Sequence, residues 1–368
     1  MDFSFTEEQT LLRNTVQSLL SDKYDFDTRR KVAKSADGWR PEIWAQFAEL
    51  GLLAAPFSEE MGGLGGGAIE TMIVMEEFGR HLVIEPYVET VVIAGGFLRE
   101  GGSPAQQEAH IPGIVGGETV WAFAYAEPQG RYNLADLTTT AKKDGSGYVI
   151  NGYKAVVLGA PWAQKLIVTA RTSGGQRDRD GVSVFIVDKS AAGVSTRDYP
   201  TVDGRRASEI TFENVKVDAD ALIGQEGKGL PLVEKITDQA IAALSAEAIG
   251  CMKELNTATV EYCKTRKQFG VPIGKFQVLQ HRMVDMFMAY EQSVSMTYMV
   301  NLKLDEGDAE RTKAAAGAKV QIGKAGRFVG QQAVQLHGGM GMTDELSVGH
   351  YFKRLTMIDT QFGNVDHQ

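Results

Sequence analysis

The sequence predicts an α+β protein in which a β domain stands between two helical regions. Apolar residues recur at helical spacing up to about residue 117, at a period of two from about 118 to 225, and at helical spacing again afterwards. The turn Asp144-Gly145-Ser146-Gly147 indicates a β-hairpin inside the middle region. We therefore predict an N-terminal helical domain over 1–117, a middle antiparallel β-barrel over 118–225 and a C-terminal four-helix bundle over 226–368.

The N-terminal region is interpreted as a series of helices. Thr6 and Gln9 have the spacing of a capping box, which predicts the start of a helix. The apolar residues that follow at helical intervals are Leu11, Leu12, Val16, Leu19, Leu20, Trp44, Phe47, Leu50 and Leu53. The cluster Gly62–Gly67 lacks the Lys-Ser or Lys-Thr that a P-loop requires, so we interpret it as a loop between helices.

The middle region contains short runs with strand character that are separated by turn residues. Six runs predict strands of a small antiparallel domain: Trp121–Tyr125, Leu137–Ala141, Tyr148–Ile150, Lys165–Ala170, Val182–Val187 and Glu209–Phe212. No dinucleotide fingerprint follows any of these strands, which argues against a nicotinamide site.

The last region contains three long helical patterns, over Leu230–Phe269, Phe276–Leu304 and Ala309–Leu336. Gly and Pro residues just beyond Phe269 end the first pattern. Arg266 and Gln268 would lie in its last turn and point past its end, where a guanidinium can hold a phosphate through two hydrogen bonds. The sequence therefore predicts an anion site at this helix end.

Composition and charge narrow the functional classes. The 368 residues are 43% hydrophobic and 23% charged, and the net charge of -9 disfavours nucleic acid or an anionic membrane as the main partner. No run is apolar enough for a membrane span, and the N-terminus has no signal-peptide pattern. Cys251 and Cys263 lie on one predicted helix, about 18 Å apart, so they cannot form a disulfide, and a reduced, cytoplasmic setting is expected.

Metal and nucleophile chemistry are not indicated. The histidines form no i, i+4 pair and no H-E-x-x-H motif, which argues against a metal site. The sequence has no G-x-S-x-G motif, so Ser-His-Asp hydrolysis is unsupported.

Three motifs resemble those of the acyl-CoA dehydrogenases, flavoenzymes that bind FAD between subunits. Arg266–Gln277 reads R-K-Q-F-G-V-P-I-G-K-F-Q and resembles the signature loop of that family. Gln335–Gly341 resembles its Q-x-x-G-G-x-G loop, and Phe5–Gln9 resembles its opening helix. The resemblance covers nearly the whole chain and implies the family's helix, barrel, helix order and an FAD-dependent oxidoreductase that acts on an acyl-CoA thioester.

In that family the Arg and Phe of the signature loop contact the FAD that a neighbouring subunit binds. The resemblance implies that FAD is contacted here by seven residues: Arg266, Gln268, Phe269, Gln277, Gln335, Gly338 and Gly339. Glycines let the backbone approach phosphate oxygens, and a Gln amide can donate to them. The loops that reach a neighbour's cofactor are therefore expected to be intact.

The segments that cradle the flavin ring depart from the family pattern. Ala126–Asn133 stands where the family usually has T-E-P-x-x-G-S-D, and Val156-Val157-Leu158 stands where it has Trp-Ile-Thr after N-G-x-K. The indole that covers the ring and the hydroxyl that donates to it are both missing, and Val and Leu side chains donate nothing.

Both positions that supply the family's catalytic base also differ. The Y-E-G-T motif aligns with Gln361-Phe362-Gly363-Asn364, and the alternative base position aligns with Ala240. Neither Phe362 nor Ala240 can accept a proton. Glu247, about two turns beyond Ala240 on the same helix face, is the nearest substitute, either as a relocated base or as a buried, paired structural group.

The resemblance leaves three hypotheses. The first is a non-catalytic partner in a heteromeric acyl-CoA dehydrogenase, similar to the small subunit of pimeloyl-CoA dehydrogenase and to the paired dehydrogenases of steroid side chains. The second is an independent homotetrameric enzyme with Glu247 as its base, and the third is a scaffold subunit that binds no flavin. For the first two, the resemblance implies an acyl-CoA substrate of undefined acyl group and electron-transfer flavoprotein as the acceptor.

Overall fold

The computed structural model describes residues 4–368, which divide into two compact units. The first unit comprises the segments up to Val32, Ala68–Val83 and Ile241–Gln368. The second unit comprises Ala33–Gly67 and Ile84–Ala240. Helices dominate the first unit and the second contains the main β-sheet, so the predicted α+β composition is confirmed.

Ten α-helices lie within residues 4–368. They are α1 (Glu7–Lys23), α2 (Phe26–Ala33), α3 (Pro41–Glu49), α4 (Ala68–His81), α5 (Gly95–Gly101), α6 (Pro104–Val115), α7 (Leu230–Thr265), α8 (Gln277–Lys303), α9 (Asp308–His337) and α10 (Ser347–Thr360). The predicted capping box of α1 is confirmed, because the Gln9 amide donates to Thr6 Oγ1 at 3.2 Å and the Thr6 amide donates to Gln9 Oε1 at 3.1 Å. None of these helices is both long and apolar enough to span a bilayer.

The two long helices after the predicted anion site match their predictions to within one residue at each end. The first long helix, α7, ends at Thr265 and not at Phe269. The helix α10 was not located from the sequence, since no side-chain cap at Leu346 marks its start. Within the first unit, α9 packs against both α8 and α10.

The strands of the second unit form one sheet. They are β1 (Trp121–Ala124), β2 (Thr140–Asp144), β3 (Gly147–Leu158), β4 (Lys165–Arg171), β5 (Val182–Asp188), β6 (Val194–Pro200), β7 (Arg206–Val217) and β8 (Leu222–Ile223), and the order is β6-β7-β3-β2-β4-β5-β8 with β1 beside β4. The sequence did not predict β6, because most of its side chains are exposed and no apolar alternation marks it.

The sheet differs from the predicted antiparallel barrel in two respects. The strands β1 and β4 run parallel, as do β2 and β4, so the sheet is mixed. The pair β2–β4 is joined through Thr140 and Arg171 alone, and no pairing among the described residues joins β6 to β8. A closed barrel is therefore not confirmed.

Two glycines bring α4 and α7 into backbone contact within the first unit. A Cβ atom on Gly79 would lie 1.9 Å from the backbone oxygen of Glu247, and one on Gly250 would lie 2.0 Å from that of Glu76. Any larger side chain would separate the helices, so this crossing fixes the position of Glu247. Cys251, on the same helix, and Cys263 are both buried and are not joined to each other, as predicted.

Candidate functional site

The predicted anion site is a β-hairpin rather than a helix end. β9 (Lys267–Gln268) pairs with β10 (Val271–Pro272), and the two turn residues, Phe269 and Gly270, have φ angles of 53° and 82°. Such a turn favours Asn or Gly at both positions, so an aromatic residue with positive φ carries backbone strain. The Phe269 side chain is also 91% exposed. A large exposed ring on a strained turn makes Phe269 a candidate for contact with another molecule.

Arg266 and Gln268 do not lie in a helical turn, and that prediction is wrong. α7 ends one residue before Arg266, and the Arg266 carbonyl accepts a hydrogen bond from the Ile273 amide at 2.8 Å, which closes the hairpin. Both side chains are exposed on the hairpin. The Arg266 guanidinium has no ion-pair or hydrogen-bond partner among the described residues and is available to an anion.

The second predicted loop begins where α9 ends. Gln335 and the two glycines Gly338 and Gly339 are exposed, and a Cβ at either glycine would meet nothing within 4 Å. Gly338 has φ 59° and ψ -141°, a conformation that is essentially restricted to glycine. The backbone at this helix end is therefore open to a ligand, as a phosphate-binding loop requires.

The structure brings these two loops to the same end of the first unit. The rings of Tyr262, one turn before Arg266, and His337, the last residue of α9, stack with centroids 4.4 Å apart. Gln277 is the first residue of α8 and is exposed directly after the hairpin. The exposed Arg266 guanidinium and the open Gly338-Gly339 backbone thus follow directly on two stacked rings, and both are groups that can bind an anion.

The strand segment aligned with the ring cradle does not supply donors. Val156 has a φ angle of 52° at a register irregularity of β3 and is 48% exposed. Positive φ is a strong outlier for a β-branched residue. Neither Val156 nor Leu158 has a side-chain hydrogen-bonding group, so this segment cannot hydrogen-bond a flavin ring through its side chains.

The scaffold beneath that segment is intact. Glu127, from the degraded T-E-P-like motif, forms an ion pair with Lys154, from the N-G-x-K-like motif, at 2.8 Å. Both side chains are fully buried. The Glu127 carboxylate also accepts hydrogen bonds from the amide and hydroxyl of Thr138 and from the amide of Thr139. The motif residues that hold the fold are retained, whereas those that would contact a flavin ring are not.

This buried pair shifts both ionisation equilibria. Burial alone would raise the pKa of Glu127, but the Lys154 ammonium and the Thr138 hydrogen bonds outweigh it and lower the pKa to about 2. Burial lowers the pKa of Lys154 to about 8, although the Glu127 carboxylate opposes this shift. We infer an ionised pair at neutral pH.

Both positions of the family base are apolar. Phe362 packs against a buried cluster of the first unit that consists of Ile241, Ala242, Val300, Leu304, Ala314, Ala315 and Ala318. Ala240 is fully buried. Neither position offers a group that can accept a proton.

The loop that carries Phe362 is nevertheless held firmly. Lys319 is fully buried and donates to the carbonyls of Ile358 and Asp359, at 2.7 and 2.8 Å, near the end of α10. An ammonium group at a helix C-terminus is favourable because the last carbonyls lack helical partners. Burial lowers the pKa of Lys319 to about 8, with Asp359 opposing the shift.

Glu247 faces Arg354 in the interior of the first unit. Arg354 Nε donates to Oε1 at 2.6 Å and Nη2 donates to Oε2 at 2.7 Å, and the side chains are 1% and 2% exposed. Both carboxylate oxygens are engaged, whereas a base needs an oxygen that faces its substrate. This arrangement favours the structural alternative for Glu247, and a role in turnover stays a prediction.

Sequence reasoning did not identify three of these arrangements. The sequence motifs contain Glu127 and Lys154 but do not predict that the two side chains form an ion pair. A lysine inside a half-buried strand is nevertheless a usable signal for a buried partner. Arg354 gave no local signal, because its partner lies 107 residues away. The stack of Tyr262 on His337 likewise joins segments that are distant in sequence.

Comparison with known proteins covers the whole described chain. Three family models match consecutive parts, namely the N-terminal, middle and C-terminal domains of acyl-CoA dehydrogenase, over residues 6–118, 122–215 and 227–366. The acyl-CoA dehydrogenase FadE12 of Mycobacterium tuberculosis is 32% identical over 359 residues, which cover 94% of this chain and 90% of that protein.

Two solved structures extend the comparison. Butyryl-CoA dehydrogenase from Megasphaera elsdenii has a TM-score of 0.92 at 26% identity, covering 100% of this chain and 97% of that one. A chain of the ChsE4-ChsE5 complex from Mycobacterium tuberculosis has a TM-score of 0.90 at 26% identity, covering 100% of this chain and 96% of that one. The fold thus occurs both in butyryl-CoA dehydrogenase and in a chain of the ChsE4-ChsE5 complex.

Proposed function

This chain belongs to the acyl-CoA dehydrogenase family of FAD-dependent oxidoreductases, and we propose that it is the non-catalytic subunit of a heteromeric member. Its part is to contact the adenosine and pyrophosphate of an FAD whose flavin ring lies in a partner subunit. The partner, a catalytic chain of the same family, supplies the ring donors and the base.

One contrast carries the proposal. The predicted FAD-contacting residues are exposed, and the Arg266 guanidinium has no partner among the described residues. The two base positions, by contrast, hold Ala240 and Phe362, and the nearby carboxylate of Glu247 is engaged by Arg354. A chain with these features can reach toward a cofactor and cannot itself remove a proton at the usual positions.

Bound FAD would supply the hydride acceptor for oxidation of the acyl thioester at its β-carbon. The residues of this chain would bind and orient the cofactor. Arg266 would donate paired hydrogen bonds to phosphate oxygens, the Gln335 amide would donate to the same group, and Gly338-Gly339 would allow close backbone approach. Phe269 adds an apolar contact at the hairpin tip. A base on the partner removes the α-proton.

Several finer points belong to this proposal. The division at 1–117, 118–225 and 226–368 is supported by the three consecutive family-model matches. An acyl-CoA substrate, electron-transfer flavoprotein as the acceptor and a cytoplasmic location follow from the family pattern and need their own tests. Assembly with a second chain is supported by the ChsE4-ChsE5 complex, in which a chain of this fold is found with another protein.

The decisive experiment substitutes Arg266 in the complex. The chain is co-expressed with candidate catalytic partners encoded by neighbouring genes, and FAD per purified complex is measured by visible absorbance after desalting. We expect Arg266→Ala to weaken FAD binding at least about tenfold, since a charge-assisted hydrogen bond contributes about 1.5–3 kcal/mol. Lys264→Ala, which removes a nearby exposed cation that pairs with Glu261, is the matched control and should keep full FAD. Unchanged FAD in Arg266→Ala would instead favour the scaffold hypothesis.

A further inference from the structure

The two FAD-contacting loops belong to segments that are far apart in sequence. The hairpin follows α7, and the glycine loop follows α9, with all of α8 between them. A ligand that bridges both loops binds well only if their separation is fixed before it arrives, because otherwise binding must also order the loops. Some contact in the chain must therefore fix the distance between the two loops.

The contact at the base of both loops is the stack of Tyr262 on His337. Their ring centroids are 4.4 Å apart and their planes differ by 29°. Each ring lies next to its loop: the Arg266 amide donates to the Tyr262 carbonyl at 2.8 Å, and Gly338 directly follows His337. A shift of either ring would therefore move the loop attached to it.

The His337 ring is itself held in one orientation. Its Nδ1 lies 2.8 Å from the carbonyl oxygen of Ala333, one turn earlier on α9. A carbonyl only accepts, so Nδ1 carries the hydrogen of this bond. Burial lowers the pKa of His337, with the Ala333 hydrogen bond opposing the shift, so the ring is neutral when it stacks.

The position of the hairpin tip depends on the position of Tyr262, because the hairpin is fixed to the last turn of α7. The bond between the Ile273 amide and the Arg266 carbonyl closes its base at 2.8 Å. A Cβ atom on Gly274 would lie 3.0 Å from the carbonyl oxygen of Cys263, so the 3-10 turn Ile273–Lys275, which directly follows β10, lies close against the last turn of α7. The tip at Phe269 is thus attached to the helix turn that carries Tyr262.

We propose that Tyr262 and His337 are positioning residues that set the spacing between the Arg266 hairpin and the Gly338-Gly339 loop, and thereby the affinity for FAD. This inference rests on the proposed function, because it assigns the two rings to the same cofactor. Neither ring is required to touch the cofactor. Their effect acts through the two loops.

The test measures FAD retention in the co-purified complex and competition by ADP, which carries the adenosine and pyrophosphate without the flavin. Tyr262→Leu and His337→Leu remove the stack, and each should weaken binding of both probes about three- to tenfold, the range that aromatic stacking contributes. Tyr262→Phe keeps a stacked ring and should stay within about twofold of wild type.

Two double variants distinguish a positioning role of the two rings from a general loss of stability. The double variant Tyr262→Leu/His337→Leu should bind no more weakly than either single variant, because both remove one interaction. In an Arg266→Ala background, Tyr262→Leu should weaken FAD binding by a smaller factor than in the wild type, since one of the groups that Tyr262 positions is already absent.

The outcomes distinguish this inference from the proposed function. If Arg266→Ala loses FAD while both Leu variants keep wild-type affinity for FAD and ADP, the positioning role is refuted and the proposed function stands. If Arg266→Ala itself retains FAD, the proposed function fails. If a Leu variant does not fold, Tyr262→Phe decides: loss of affinity in this variant, which keeps the stacked ring, would also refute a role based on stacking.

Discussion

Glu247 and Arg354 form a bidentate ion pair, with both carboxylate oxygens within 2.7 Å of guanidinium nitrogens and both side chains almost fully buried. The pair lies beside the crossing at which the Gly79 backbone touches that of Glu247. This carboxylate, the nearest substitute for the missing base, is thus placed as a group that holds helices together.

Breaking this pair should destabilise the fold without abolishing turnover of the complex. Glu247→Gln removes the carboxylate charge that faces the buried Arg354 guanidinium, and loss of one partner of a buried pair costs about 3–5 kcal/mol. Chemical denaturation should show that loss, while turnover per folded complex stays within about twofold. Glu261→Gln, in an exposed pair with Lys264, should change stability little.

The double variant Glu247→Leu/Arg354→Met provides the control for charge. It removes both charges and restores apolar packing, so it should recover most of the stability that Glu247→Gln loses. Normal stability together with lost turnover in Glu247→Gln would be the opposite result, and would establish Glu247 as a relocated base.

The Glu127–Lys154 pair should make stability sensitive to acid. The pKa of Glu127 is about 2 in the folded chain against an ordinary value of 4.5, so its stabilisation is complete above about pH 4.5 and is lost as pH falls toward 2. That difference corresponds to about 3 kcal/mol in the free energy of unfolding. Denaturation curves from pH 7 to 2 should show it, and Glu127→Gln should lack this part of the pH dependence.

Glu127→Gln should also be less stable at neutral pH, because Lys154 would lose the carboxylate that stabilises its buried ammonium. Asp180→Asn is the matched control, since it breaks an exposed pair with Lys228. A pH profile of Glu127→Gln that superimposes on that of the wild type would contradict the buried-pair interpretation.

Phe269, at the hairpin tip, should favour cofactor binding at some cost in the stability of the fold. Phe269 has positive φ and is 91% exposed, so Phe269→Asn relieves backbone strain and removes almost no packing. We expect the free energy of unfolding to stay the same or rise by up to about 1 kcal/mol, while FAD retention by the complex falls. Equal FAD retention in the two proteins would mean that the exposed ring has no part in cofactor contact.

Val156 should be a site of strain without a role in cofactor binding by this chain. Its positive φ is costly for a β-branched residue, so Val156→Gly should raise the free energy of unfolding by about 1 kcal/mol and leave FAD per complex unchanged. Loss of FAD in this variant would indicate that β3 of this chain takes part in binding.

The elements that the sequence predicted best are those in which local pattern and burial agree. Apolar residues at helical spacing located α8 and α9 to within one residue at each end. β6 was missed because its side chains are mostly exposed, so its pairing with β7 leaves no mark on the pattern. The turn at Phe269 was read as a helix end, since its residue type is unusual for a two-residue hairpin.

The candidate site was predictable where a motif carries the contact and not where two distant segments meet. Arg266, Gln335 and the paired glycines were identified from their motifs and lie exposed on one unit. Arg354, by contrast, was not predicted as the partner of Glu247, because no spacing rule connects two helices through a single pair of side chains. Such pairs depend on how the helices pack, which one sequence does not determine locally.

The visible spectrum of the purified chain, recorded alone and again in complex with a catalytic chain of the same family, decides whether this chain is catalytic by itself. We predict no stoichiometric flavin and no acyl-CoA oxidation for the chain alone, and flavin with turnover in the complex, both lost on Arg266→Ala. Stoichiometric flavin and full turnover in the chain alone would contradict the assignment of this chain as the non-catalytic half.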